Sequence, residues 1–502
     1  MPPPPDEPQP YDELPSYDKP PYDEPVPHDA PPPPDEPAPY DAPPPSTSVL
    51  RTGGSGPAAP PAARGGRDGA VRGNPLSAPA PRSDDVDVFA AHDPVRAVAG
   101  DAMSDVLVLG GGAAGLSLVH RLVAGGAGGV TLVEAPDGPG RPGERTWCYW
   151  DRGGGELDEA VRASWGRLRV HGADGGAVVV RPAPFTYRMI RSSALERLVH
   201  GRLVRAPGGR LLRATADAVR ATAHGAEVDC TAAGGRRITL RARHLFDSRP
   251  LPALPPARTL LLQHFRGWFV RTDTDRFDPD VADLMDFRVP QPRHGLAFGY
   301  VLPLAPDRAL VEYTEFSRTP LTTPAYDAAL AHYSRRVLGL GAFSVEAAEQ
   351  GVIPMTDARF PRRHGPTVRI GTAGGATRPA TGYTFAAVQR QSRAIAAALH
   401  DGRRAGGTVA APRPYRRRTL AMDAVLLRAL DTGRVDGPTF FTDLFRNVPP
   451  LRLLRFLDGV ATPWEEWCVG LRCPVGPMLR TALELPFLPR RPLAPRAEES
   501  RR

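Results

Sequence analysis

A chain of 502 residues with 63 Lys and Arg against 55 Asp and Glu carries a net charge of +8 and has room for two or three domains. Lys19 is its only lysine, so the positive charge is arginine scattered along an Ala-, Gly- and Pro-rich chain, and no clustered basic footprint points to nucleic acid. The four cysteines lack disulfide or metal spacing, and no apolar run approaches the roughly 18 residues of a spanning helix, which argues against a disulfide scaffold, a metal site and an integral membrane protein.

Residues 1–102 hold runs such as PPPPDEPAPYDAPPP, with too little apolar surface to offset the entropy of ordering. They are predicted to be a disordered Pro- and acid-rich extension, its Pro-Tyr-Asp repeats being a solvated tail sooner than a partner-recognition tract. The extension is either native or lies upstream of a true start at Met103. With no signal-peptide pattern at the start, the folded part is expected in the cytoplasm, soluble or peripheral to a membrane.

DVLVL, residues 105–109, reads as a buried parallel strand and runs into Gly110, Gly112 and Gly115 at GxGxxG spacing, followed by the helical run LSLVHRLVA. A second strand, VTLVEA, ends near Glu134, placed to bind ribose hydroxyls. Strand, glycine turn, helix, strand and acid in this order predict dinucleotide binding, and Glu at that position favours FAD or NAD over NADP. FAD is preferred because of a second glycine-rich turn with Gly371, Gly374, Gly375 and Gly382, set between the strand VRI and a helical run. This turn resembles the second flavin motif of aromatic-hydroxylase-like flavoproteins, although Thr372 stands where many hydroxylases carry Asp.

Seven blocks then follow in order: GERTWCYW, HLFDSRP, QHFRGWFVRTD, FDPDVADLMDFRV, FGYVLPLAPDRALVEYTEFSRTPL, GVIPMTD and GTAGGATRPATGYTF. Together they resemble the bacterial-type lycopene β-cyclases, over most of residues 104–485. In RALVEYTEF, strand alternation puts Leu310, Glu312 and Thr314 on one face and Val311, Tyr313 and Glu315 on the other. Read alone, Glu312 is a carboxylate on an edge strand. The resemblance to the Phe-Leu-Glu-Glu-Thr motif of plant cyclases implies instead that Glu312 is the essential catalytic carboxylate; Tyr313 replaces the second glutamate, so no paired-carboxylate mechanism is expected.

The fold implied is α/β, a Rossmann-type FAD-binding domain (104–200 and 365–405) interleaved with an antiparallel-sheet substrate domain (about 250–355). A C-terminal helical region (about 410–485) and a flexible tail (486–502) complete it. The activity implied is that of an intramolecular lyase or isomerase, the non-redox closure of lycopene ψ-ends to β-rings in γ- and β-carotene, with reduced FAD and NADPH as reductant. Whether flavin or Glu312 gives the first proton stays open, and an FAD-dependent monooxygenase or prenyl-chain reductase is the alternative. Arg145 is a further candidate for cofactor binding; Asp247, Arg145 and Arg191 read equally well as structural, and His264 reads as a core histidine sooner than a proton donor. Partners expected are linear carotenoids, other carotenoid-pathway enzymes and a membrane surface, the last because segment 440–489 mixes Leu, Phe and Trp with Arg at helical spacing.

Overall fold

In the computed structural model, residues 103–138, 140–405, 409 and 412–492 are described. The predicted disordered extension, residues 1–102, lies outside them, as do residues 493–502 of the predicted tail.

Ser104–Leu109 is a Val- and Leu-rich strand buried on both faces, as the centre of a parallel sheet must be. It pairs in parallel with Val130–Glu134 on one side and Arg237–Asp247 on the other. Those neighbours pair in parallel with Arg210–Thr222 and Thr367–Arg369 respectively. The two longest strands outrun the parallel core, and Gly225–Ala232 bridges their extensions antiparallel to both. Helices Ala113–Ala124 and Phe385–Ala405 cover one face through Leu116, Val119, Leu122, Val388, Ile395 and Leu399.

A second sheet is antiparallel over most of its width, in the order Phe343–Thr356, Leu260–Thr272, Arg308–Ser317, Leu296–Ala305, Val281–Asp286, Arg167–His171 and Ala177–Val180. Its central strand Arg308–Ser317 is buried on both sides. One face, with Val311, Tyr313 and His264, is covered by helix Thr323–His332. The other, with Leu310 and Phe298, shares a core with a small third sheet (Thr146–Asp151, Thr186–Arg191, Val161–Trp165) and with helices Arg417–Asp431 and Gly437–Asn447.

The chain shuttles between layers, and two boundaries differ from those expected. The substrate sheet takes the hairpin 167–180 from inside the expected nucleotide-binding stretch, while residues 210–247, assigned to neither part from sequence, build the parallel sheet. The tail expected to be flexible from residue 486 is tied down as far as 491: Ala257 and Arg491 exchange backbone hydrogen bonds of 3.1 and 2.9 Å, and Arg490 lies 3.2 Å from Asp357. An ion pair and a two-bond bridge that sequence spacing cannot foresee hold it.

Candidate active site

On the inner face of the antiparallel sheet, four adjacent strands place Tyr300, Glu312, Gly267 and Glu349 side by side in one row. Gly267 is the gap in that row. A methyl group there would come 2.8 Å from Leu310 Cδ1 and 3.4 Å from Glu312 Cβ, so glycine lets the two carboxylate side chains share the space above the strand. Sequence reasoning missed Glu349, because nothing local marks it as a neighbour of Glu312.

Glu312 is buried, and burial, reinforced by the negative charge of Glu349, pushes its carboxyl up to about 8. The group is therefore protonated at neutral pH. Thr314, two residues on and on the same face, donates its hydroxyl to Glu312 Oε1 at 2.7 Å. Glu315 points to the opposite face, as strand alternation requires, where it accepts from Tyr313 at 3.3 Å.

Glu349 has different company. Thr146 and Arg191, both from the small third sheet, donate to its Oε2 at 2.8 and 2.7 Å. Arg191 also donates to Glu144 at 2.7 Å and lies 4.3 Å above the Phe269 ring. Burial raises the Glu349 carboxyl too, against the downward pull of Thr146 and Arg191. Nearby, the Tyr187 and Tyr300 hydroxyls are hydrogen-bonded at 2.9 Å, and burial raises the Cys148 thiol to about 12, leaving it an inert neutral group.

The glycine loop has the form that a pyrophosphate needs. Gly110 has φ +97°, a conformation costly for any residue with a side chain. A Cβ on Gly115 would fall 1.9 Å from Gly110 O, so the helix crosses the strand at a distance only glycine allows. Gly112 faces open space and heads the helix Ala113–Ala124 without a side-chain cap, leaving its first N–H groups free for an anion. Glu134 is buried at the end of its strand, where His200 (2.6 Å), Arg213 (2.8 Å) and Arg141 (3.1 Å) hold its carboxylate against Gly111.

The second glycine turn meets the first: a Cβ on Gly371 would lie 2.6 Å from that of Ala114. Gly374 backs onto Arg369 O, and Gly375 turns with φ +79°. Gly382, with φ +69°, sits against Gln263, whose Oε1 is buried without a hydrogen-bond partner among the described residues, as is Thr381 Oγ1. These orphaned polar atoms suit the polar edge of a flavin ring. Gln263 lies four residues from Gly267 on the same strand face, about 13 Å at the rise of a strand. The second glycine turn and the Glu312 row thus share one side of the sheet.

Of the other predicted residues, Asp247 ends the strand between the two glycine turns, in register with Leu109 and Arg369, whereas Arg145 and His264 are placed differently. The Arg145 side chain is exposed, and among the described residues only its backbone is engaged, with Ser192. Asp247 ends its strand and accepts the backbone N–H of Arg249 at 2.9 Å, a turn-forming role. His264 is fully buried between Tyr326 and Ser317, each at 2.7 Å, and desolvation lowers it to about 4; it faces away from Glu312.

A parallel dinucleotide-binding sheet interleaved with an antiparallel sheet defines the Rossmann-type fold of FAD-dependent monooxygenases and reductases. A flavoprotein/dehydrogenase from Cytophaga hutchinsonii shares it at a TM-score of 0.54 and 14% identity, over 76% of this chain and 99% of that one. So does p-nitrophenol 4-monooxygenase from Pseudomonas putida, at 0.50 and 14%, over 78% and 99%. Within that fold the sequence is more specific: residues 105–483 match the family described as lycopene cyclase protein, and the chain belongs to it. An uncharacterized carotenoid cyclase of Deinococcus radiodurans is 28% identical over 387 residues, 71% of this chain and 86% of that protein. Family membership places the chain among the carotenoid cyclases.

Proposed function

We propose that the chain is a lycopene β-cyclase in which Glu312 is the proton donor. The observation that carries this reading is a carboxyl group kept protonated near pH 7 inside an apolar, aromatic-walled layer of the substrate sheet. Closure of a ψ-end needs a strong acid, surroundings that tolerate a cation, and a base, all shielded from water.

Glu312 gives its proton to the terminal alkene of the ψ-end. The tertiary carbocation so formed is attacked by an internal double bond, which closes a six-membered ring and moves the charge onto the ring. The ionised Glu312 then acts as counter-charge and takes a proton from the ring carbon, giving the β-ring and restoring the acid. Proton and electrons balance with no net redox change. The ring faces of Trp150, Tyr187, Tyr300 and Tyr383, in the core adjoining Glu312, stabilise positive charge without offering a nucleophile. Glu349, locked by Arg191 and Thr146, holds a negative charge near Glu312 and favours its protonated state.

FAD would be held at its pyrophosphate by Gly110, Gly112, Gly115 and the following helix N-terminus, at its ribose by Glu134, and at its ring end by the turn carrying Gly371, Gly374, Gly375 and Gly382. Arg145, exposed near the loop after Glu134, would reach it only from the rim. Reduced FAD would bring an anionic ring to the site, and NADPH would serve only as its reductant.

The test is the pigment formed when lycopene-producing bacterial cells express the full chain or its Glu312→Gln variant. The expected result is β- or γ-carotene from the parent alone, with both proteins folded and flavin-bound. Unchanged lycopene with a folded, flavin-bound parent, together with NADPH consumption on each turnover, would hand the assignment to a redox enzyme of the same fold.

A further inference from the structure

Seven large apolar side chains of the C-terminal region face solvent: Trp464, Trp467, Leu471, Val475, Leu479, Leu483 and Phe487 are between 57% and 87% exposed. Their spacing is three residues and then four throughout, so helices Pro463–Gly470 and Val475–Glu484 each turn one apolar stripe outward. Such a stripe ordinarily faces the core. Here Val469 and Thr481 pack inward while the stripe stays outside. At ordinary aromatic side-chain areas, the two tryptophans and Phe487 alone present roughly 450 Å².

The charges around the stripe say what covers it. Every acidic residue of the two helices is already neutralised: Glu465 by Arg455 at 2.9 Å, Glu466 by Arg418, and Glu484 by Arg428 at 2.9 Å and by Arg434. Arg472 and Arg480, by contrast, are exposed and have no carboxylate partner among the described residues. The surface is therefore apolar with a basic rim, complementary to an anionic lipid headgroup layer above hydrocarbon. Tryptophan, with an apolar body and a polar N–H, suits that boundary. The helices are also firmly anchored. A capping box closes between Thr462 and Glu465, and Met478 packs on the core that holds Leu310, two residues before Glu312.

We infer that the stripe from Trp464 to Phe487 is a docking surface for an anionic phospholipid bilayer, inserted to the depth of its side chains with no helix crossing. No helix among the described residues is long and apolar enough to cross. Preference for a bilayer over a protein partner rests partly on the cyclase reading, whose substrate is a hydrocarbon. The following assay reads no chemistry, so either idea can fail without the other.

The full chain is floated with vesicles of phosphatidylcholine alone or mixed equally with phosphatidylglycerol, beside the double variant Leu479→Glu/Leu483→Glu. Both substitutions are at exposed positions, and a matching thermal midpoint checks the fold. The expected result is flotation with the mixed vesicles, weaker with phosphatidylcholine or at high salt, and reduced by roughly tenfold or more in the variant. Quenching of tryptophan fluorescence by bromine-labelled acyl chains, lost on Trp464→Ser/Trp467→Ser, would show which side chains enter the lipid. Equal flotation of the double variant overturns the inference. So does a parent that stays in solution, whether as a monomer or as a dimer that the double variant disperses.

Discussion

Replacing Glu312 with glutamine removes one titratable proton while keeping the size of the side chain and the oxygen that accepts from Thr314. The folded protein holds its Glu312 proton up to about pH 8, whereas the free carboxyl releases it near 4.5. Because the folded value is the higher one, the protonated carboxyl favours the native state below pH 4.5, and that advantage drains away as pH rises towards 8. At pH 7 the gap is 2.5 units, from 4.5 to 7, and each unit is worth about 1.4 kcal/mol, so wild type should carry a penalty on the order of 3 kcal/mol that glutamine lacks. The assay is urea unfolding of both proteins at pH 5, 6, 7 and 8, compared through midpoints at a common slope. Wild type should lose stability relative to Glu312→Gln at each step. Parallel pH curves would refute the claim that this carboxyl stays neutral, and with it the proposed proton donor.

Glu349→Gln removes the negative neighbour that helps to raise Glu312, so the alkaline limb of the pH–rate profile should move to lower pH; an unmoved limb would deny the coupling. Gly267→Ala puts a methyl group against Leu310 and Glu312, and should cost about 1–3 kcal/mol in a thermal melt together with a fall in kcat larger than the change in KM. Arg378 is buried with both oxygens of Asp423 on its guanidinium; Arg378→Met strands that carboxylate and should destabilise by about 3–5 kcal/mol in the same melt, whatever the flavin content.

Local features were readable in the chain, and features made by distant strands were not. The strand, glycine turn, helix and second strand from 104 to 134 are contiguous, so their order can be read from neighbouring residues alone. The divergence of Glu312 and Glu315 likewise needs only the two-residue period of a strand. Glu349 reaches Glu312 across Gly267, a residue of a third strand, and no local period encodes the register that joins them. Arg191 and Thr146 arrive from yet another sheet. The helical spacing of Leu and Trp near the C-terminus was legible, but whether the stripe faced core or solvent depended on which other faces had already filled the core.

The contact of Gly371 with Ala114 bears on how the protein is made. The helix after the first glycine turn and the helix after the second lean on each other, with Gln389 donating to Ser117 at 2.7 Å and accepting from Arg121 at 2.9 Å. A ribosome that has released residues up to 350 has delivered Glu312, Gly267 and Glu349, the whole carboxylate row, but only one wall of the nucleotide cradle. The proposed acid is synthesised before the second half of the proposed flavin cradle. On the proposed flavin site, a chain cut short before residue 371 would carry the whole carboxylate row but lack the second glycine turn, so retention of flavin would report that synthesis has passed that turn.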